Sequence, residues 1–187
     1  MEKFIKRSTD WLIRLYTNEQ YFPERVTDIQ MRKKYAYLEA WVSIFGNLFL
    51  AATKIALGIW ANSVSLMADA VHSGSDILTS IVVLIGFKLS SSPADEKHPY
   101  GHGRIEFIAS LVISVMLIFV GIEFGKSSYI RFLGNTAVKG SYAVAVIMLI
   151  AAIIKEWMSE FSIDLGSRTN SSSLVADAWH HRTDAIA

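Results

Sequence analysis

SLMADAVHSGSD (Ser65–Asp76) and SLVADAWHHRTD (Ser173–Asp184) share one layout at an offset of 108 residues. Each places an aspartate, then a histidine three residues on, then a second aspartate four residues further, inside a run of apolar and small residues. An ionisable side chain near the centre of a bilayer costs at least ~2.5–3.5 kcal/mol on insertion scales. Such residues are retained when they face a partner, a wet cavity or an ion. The stretch therefore decides the fold, because it reads as a membrane helix with a polar face turned to the inside of a bundle.

The surrounding sequence agrees. The chain has 187 residues, 52% hydrophobic and 19% charged, with a mean hydropathy of +0.34, against about 25% charged residues in soluble domains. The first apolar span runs from Tyr35 to about Ala61, interrupted near its middle only by Lys54. A second, Val64 to about Ser90, follows after Asn62–Ser63, so the two form an antiparallel hairpin. The polar loop SSSPADEKHPYGHGR precedes a third span starting near Ile105, with a charge-free core at Phe107–Ile122. A fourth covers about Tyr142–Trp157 and ends at KEWMSE; the polar stretch DLGSRTNSSS then leads to a fifth helix beginning near Ser172. At about 1.5 Å per residue and ~20 residues per crossing, this is an all-α, polytopic transmembrane helix bundle with four full spans plus the start of a fifth.

Residues 1–34 hold eight Lys/Arg, ending in MRKK, with partial amphipathicity around WLIRLY. They read as a solvated or membrane-skimming tail rather than a cleavable signal peptide, and residues 35–187 as the transmembrane domain. The basic cluster favours a cytoplasmic N-terminus. Lys88, Lys97 and Arg104 in the second loop agree with this, while Lys126, Arg131 and Lys139 pull mildly the other way. A net charge of +1 argues against a nucleic-acid partner, and the lack of cysteine leaves His, Asp and Glu as the ligands for any metal.

His72 and Asp76 are spaced i, i+4, as are His180 and Asp184, so each pair shares a helix face about 6 Å apart along the axis. Two spans separate the motifs, which makes their helices antiparallel and sets the His of one level with the Asp of the other. Two imidazoles and two carboxylates can then converge on one ion. Four N/O ligands suit Zn²⁺, and the two carboxylates neutralise a dication. Such a cluster is closed to a catalytic water, which favours carrying the metal over using it. Asp69 and Asp177, three residues before the histidines, can serve as extra ligands, outer partners or proton carriers, and an outer or vestibule role is the preferred reading. In the loop, Asp95, His98 and His102 can form a three-ligand or water-completed site.

NSVSLMADAVHSGSD, PADEKHPYGHGRIE and SSLVADAWHHRTDA, in this order, resemble the cation diffusion facilitators, secondary transporters of divalent metals. The resemblance covers about residues 35–187. It implies six transmembrane helices followed by a cytoplasmic metal-binding domain, a homodimer, and metal export in exchange for protons; this chain stops at DAIA, before a sixth helix. It places the transport site on His72, Asp76, His180 and Asp184 and a loop site on Asp95, His98 and His102. Histidine at the first position of both motifs is similar to zinc-selective members, while manganese and iron(II) transporters share the ADAVHS and HPYGHGR flavour.

The expected activity is a zinc/proton antiporter of the cell (plasma or inner) membrane, working by alternating access, with manganese or iron(II) as alternative cargo. It is not an enzyme and needs no resident cofactor. Metal requires neutral imidazole and ionised carboxylate, so protons compete for the same atoms, and histidine can change charge in the physiological range. The loop would act in metal intake or regulation. Two readings of other classes are an intramembrane metalloenzyme, for which HExxH is absent, and a non-transporting membrane scaffold.

Overall fold

The computed structural model describes residues 2–18, 25–60, 64–134 and 142–186. Among them are seven helices and no strand: α1 (Glu2–Thr17), α2 (Ile29–Trp60), α3 (Val64–Ser75), α4 (Ile77–Ser90), α5 (Ile105–Leu133), α6 (Tyr142–Thr169) and α7 (Ser172–Ile186). The all-α membrane bundle expected from the sequence is the fold observed. The Asn62–Ser63 connection and Lys139 lie outside the described residues.

Local signals set the helix ends. Asp28 caps α2 by accepting the Met31 backbone N–H on its side chain at 2.8 Å and the Arg32 N–H on its carbonyl, as N-cap residues do. The helix thus starts at Ile29 and runs through the expected boundary at residue 34 without a break. Only Asp76 separates α3 from α4. Its backbone stays helical (φ −64°, ψ −20°) and its N–H still donates to the His72 carbonyl at 3.1 Å, so α4 continues α3.

The polar stretch from Asp164 is shorter than expected as a loop. Residues Asp164–Thr169 belong to α6, held there by the i, i+4 pair of Arg168 and Asp164 (2.9 Å). Only Asn170 and Ser171 make the turn. Asn170 takes a left-handed conformation (φ 50°), Ser171 N–H donates to Gly166 O and Asn170 N–H to Ser167 O, a Schellman closure. Ser171 Oγ then accepts the Leu174 N–H at 3.3 Å, capping α7. This tight turn lays α7 antiparallel against α6 and fixes the register of the second motif.

Three helices are long and apolar enough to cross a membrane among the described residues: Ile29–Trp60, Asp69–Ser90 and Ile105–Glu123. The expected fourth crossing lies in α6, whose first half, Tyr142–Ile154, is free of charge, while Lys155, Glu156, Glu160, Asp164 and Arg168 follow toward its end. These charges are paired within the fold. Lys155 is 3% exposed, Glu156 and Glu160 both hold Arg182 of α7, and Arg168 bridges Asp164 and Asp10. Phe45, Phe49, Leu111, Phe119 and Leu149 point outward, forming the apolar outer surface a lipid-facing bundle needs.

Inside the bundle the driving force is not simple hydrophobic burial, since lipid tails are as apolar as leucine; close packing of small residues and interhelical hydrogen bonds contribute instead. Ser43, Ser73, Ser80, Ser159, Ser162 and Ser173 are all buried, and Ser159 donates to the Ala178 carbonyl across α6–α7 at 2.8 Å. An added Cβ on Gly86 of α4 would meet Ala109 Cβ of α5 at 2.6 Å. Gly86→Ala should therefore force α4 and α5 apart, lowering stability by ~1–3 kcal/mol, with recovery in the Gly86→Ala/Ala109→Gly pair. A melting temperature unchanged by Gly86→Ala would show that the helices are not so close.

The N-terminal segment is more than a tail. In α1, Ile13 is fully buried and Ile5 nearly so, and Ser8 accepts the Trp157 indole N–H of α6 at 3.2 Å. With Asp10 on Arg168 at 2.8 Å, α1 docks on the α6 end that carries the turn to α7. At the same end Arg32 joins three elements, donating to the Thr169 carbonyl and pairing with Glu106 at 3.1 Å.

Candidate metal centre

The structure brings His72, Asp76, His180 and Asp184 together. His72 Nε2 lies 3.6 Å from Asp184 and 3.9 Å from Asp76; His180 Nε2 lies 3.5 Å from Asp76 and 3.6 Å from Asp184. His72 thus meets Asp184, and Asp76 meets His180, the crossed pairing that antiparallel helices produce. The side chains of Asp76, His180 and Asp184 are at most 4% exposed, whereas His72 is 32% exposed. The group opens into a cleft of about 370 Å³, also lined by Lys54, Asp69 and Ser73.

One member was not anticipated. Lys155 of α6 sends its ammonium between the two carboxylates, 2.6 Å from Asp76 Oδ2 and 2.7 Å from Asp184 Oδ2. A lysine at KEWMSE reads as the end of a span, and only the packing of α6 on α7 turns it inward. Its charge offsets much of the cost of burying two carboxylates side by side. A divalent cation shared by both carboxylates would have to displace this ammonium or sit beside it.

The two earlier aspartates take different places. Asp69 Oδ2 pairs with Lys54 at 2.6 Å, and Lys54 also donates to Ser73 Oγ at 2.8 Å, so Asp69 stands in the cleft wall and the lysine that interrupts α2 is neutralised. Asp177 is fully buried in another group, with Glu39 of α2 and His181 of α7, whose potential ligand atoms lie within 4.8 Å of one another. Neither partner stands out in the sequence: Glu39 sits near the start of an apolar span, and His181 is masked by its neighbour His180.

The loop residues also assemble. Asp95 Oδ1 accepts the backbone N–H groups of Lys97 (2.9 Å) and His98 (2.6 Å). These turn the loop back on itself, with Gly101 at φ +81° completing it, a conformation that favours glycine. His98 Nδ1 is 3.2 Å and His102 Nε2 is 3.4 Å from the Asp95 carboxylate. His102 Nδ1 lies 3.1 Å from the Pro93 carbonyl, an outer contact of the kind that orients a metal-ligating histidine, and its Nε2 faces Asp95. The His98 backbone N–H holds the Asp95 carboxyl below the ordinary carboxylate range, so it remains an anionic ligand when the solution turns mildly acidic.

A bundle of antiparallel helices carrying paired His–Asp motifs is the architecture of a membrane cation carrier. The model of the cation efflux transmembrane domain matches residues 40–187, and the chain belongs to that family, the cation diffusion facilitators, which are transporters and not enzymes. An uncharacterized transporter of Methanocaldococcus jannaschii is 39% identical over 146 residues, 78% of this chain and 52% of that protein. The magnetosome protein MamB of Paramagnetospirillum magneticum is 32% identical over 147 residues, 79% of this chain and 50% of that protein. The manganese efflux system protein MneP of Bacillus subtilis is 31% identical over 148 residues, again 79% and 50%. The chain spans about half the length of these relatives. No solved structure matches it.

Proposed function

We propose that this chain forms the cation pathway of a divalent-metal exporter, with His72, Asp76, His180 and Asp184 as the transport site. The observation that carries the reading is the convergence of both motif copies on one cleft, with a cation, the Lys155 ammonium, held between the two carboxylates. Zinc is the cargo favoured by two imidazoles and two carboxylates. Manganese is the second reading, on the printed function of the Bacillus relative, and iron(II) has similar ligand needs.

Transport runs by exchange with protons. Metal takes the site when the imidazoles are neutral and the carboxylates ionised; protons arriving on the other side displace it. The protein works as a homodimer in the cell membrane with a cytoplasmic N-terminus. Asp95, His98 and His102 take up metal at the end of the bundle that also holds the Arg32–Glu106 pair. Asp95→Asn keeps an acceptor for the two backbone N–H groups but removes the charge. The expected result is at least tenfold weaker metal binding at the loop, read by titration, with binding at the transport site unchanged.

The direct test is uptake of Zn²⁺, Mn²⁺ and Fe²⁺ into proteoliposomes of the whole protein, with a pH dye inside. Metal-linked proton movement for at least one ion is expected. Its absence for all three would sink the antiport reading, and flux untouched by His180→Ala would sink the site assignment.

A further inference from the structure

We infer that Glu39, Asp177 and His181 form a second divalent-cation seat, buried one helical turn from the transport cluster. All three residues are fully buried, and each offers a ligand atom within 4.8 Å of the others, close to the ~4 Å that ligands about 2.1 Å from one ion span. In α7, Asp177 and His181 stand three residues before His180 and Asp184 on the same face, so the seat lies about 4.5 Å nearer the α6–α7 turn.

The charge balance points to a cation. Asp76 and Asp184 have Lys155 between them, but no lysine or arginine among the described residues pairs with Glu39 or Asp177. Two buried carboxylates with only the His181 imidazole beside them are expensive. The surrounding hydroxyls satisfy one edge only: Glu39 Oε1 accepts from Ser162 at 2.6 Å and from Ser43 at 3.2 Å. Glu39 Oε2, both Asp177 oxygens and His181 Nδ1 have no hydrogen-bond partner, although His181 Nε2 approaches Asp177 Oδ2 at 3.3 Å and Ser43 Oγ at 2.9 Å. Glu39 Oε2 and Asp177 Oδ1, buried beside the His181 imidazole and without a hydrogen-bond partner, are donors a divalent ion would complete.

The position suggests what the seat does. Glu39 lies seven residues, about 10 Å, inward of Arg32 along α2, at the end where the loop site and the Arg32–Glu106 pair are found. An ion entering there meets Glu39, Asp177 and His181 before the transport cluster, so the seat is a staging point. That role rests on the transport reading, whereas ion binding at the seat does not.

The test uses Mn²⁺, which suits a carboxylate-rich site, with the whole protein in lipid nanodiscs and bound metal counted after equilibrium dialysis. In a background with Asp76→Asn, Asp184→Asn, His98→Ala and His102→Ala, one Mn²⁺ per chain beyond any held by the cytoplasmic domain is expected to remain. Adding Glu39→Gln should remove it, and Glu39→Asp should restore part of it. His181→Gln gives a second readout should Glu39→Gln fail to fold, as judged by melting temperature. No Mn²⁺ in the quadruple background would overturn the proposal and point to a proton shared between Glu39 and Asp177. Retention of Mn²⁺ in both Glu39→Gln and His181→Gln would overturn the ligand assignment. Failure of the transport reading looks different: Asp76→Asn alone would then leave the wild-type metal count and flux unchanged.

Discussion

Lys155→Met is expected to destabilise the metal-free protein and tighten its grip on metal together. The ammonium lies 2.6 Å and 2.7 Å from two carboxylates that are almost fully buried. Removing one partner of a buried ion pair costs about 3–5 kcal/mol, because it leaves charge uncompensated in a poor dielectric. Methionine has nearly the same reach and keeps the packing, so the loss is electrostatic. A divalent ion entering the variant has no tethered cation to displace, so its affinity should rise about 10- to 100-fold, at 1.4 kcal/mol per tenfold. Turnover should fall, since release loses the lysine that refills the site. Melting curves with and without Zn²⁺ check this: the metal-free variant should melt lower, and saturating Zn²⁺ should raise it by more than it raises the wild type. Equal metal-free stability and equal affinity would show that the ammonium does not occupy the carboxylate pair.

Asp184→Asn is expected to reduce metal flux at least ~100-fold. Loss of a group that merely orients a ligand costs 10–100-fold in metal proteins, and Asp184 touches both histidines and Lys155. Asp69→Asn is the measured comparison. Asp69 faces Lys54 in the cleft wall, so its loss should cost no more than about tenfold. Equal losses in the two variants, read as initial uptake rates in proteoliposomes, would remove the distinction drawn between ligand and wall.

How much of this was legible follows from the kind of signal each residue leaves. A repeated HxxxD inside an apolar run stands out because charge is rare in lipid, and the two spans between the copies make their helices antiparallel. The pairing of His72 with Asp184 and of Asp76 with His180 needs no more information than that. The loop triad was legible because Pro99, Gly101 and Gly103 mark the segment as a turn. Glu39 and Lys155 were not, because an isolated charge near the end of a span looks the same whether it reaches outward to the interface or inward to a partner. The segment Asp164–Thr169 reads as loop for a similar reason, its polar groups being met by Asp10 of α1 and Arg32 of α2, which sequence order does not place beside them.

The sequence by itself determined the all-α membrane bundle, the antiparallel relation of the two motifs and the identity of the four candidate ligands, since periodicity and the cost of charge in lipid act locally. Only the tertiary structure decided which other charges join them. The Asn170–Ser171 turn sets the register of α7 on α6, and that register places Lys155 between Asp76 and Asp184. The same packing shuts Asp177 away with Glu39 and His181. Those contacts depend on helix faces meeting across long sequence separations, and a buried charge takes its meaning from the partner it meets there.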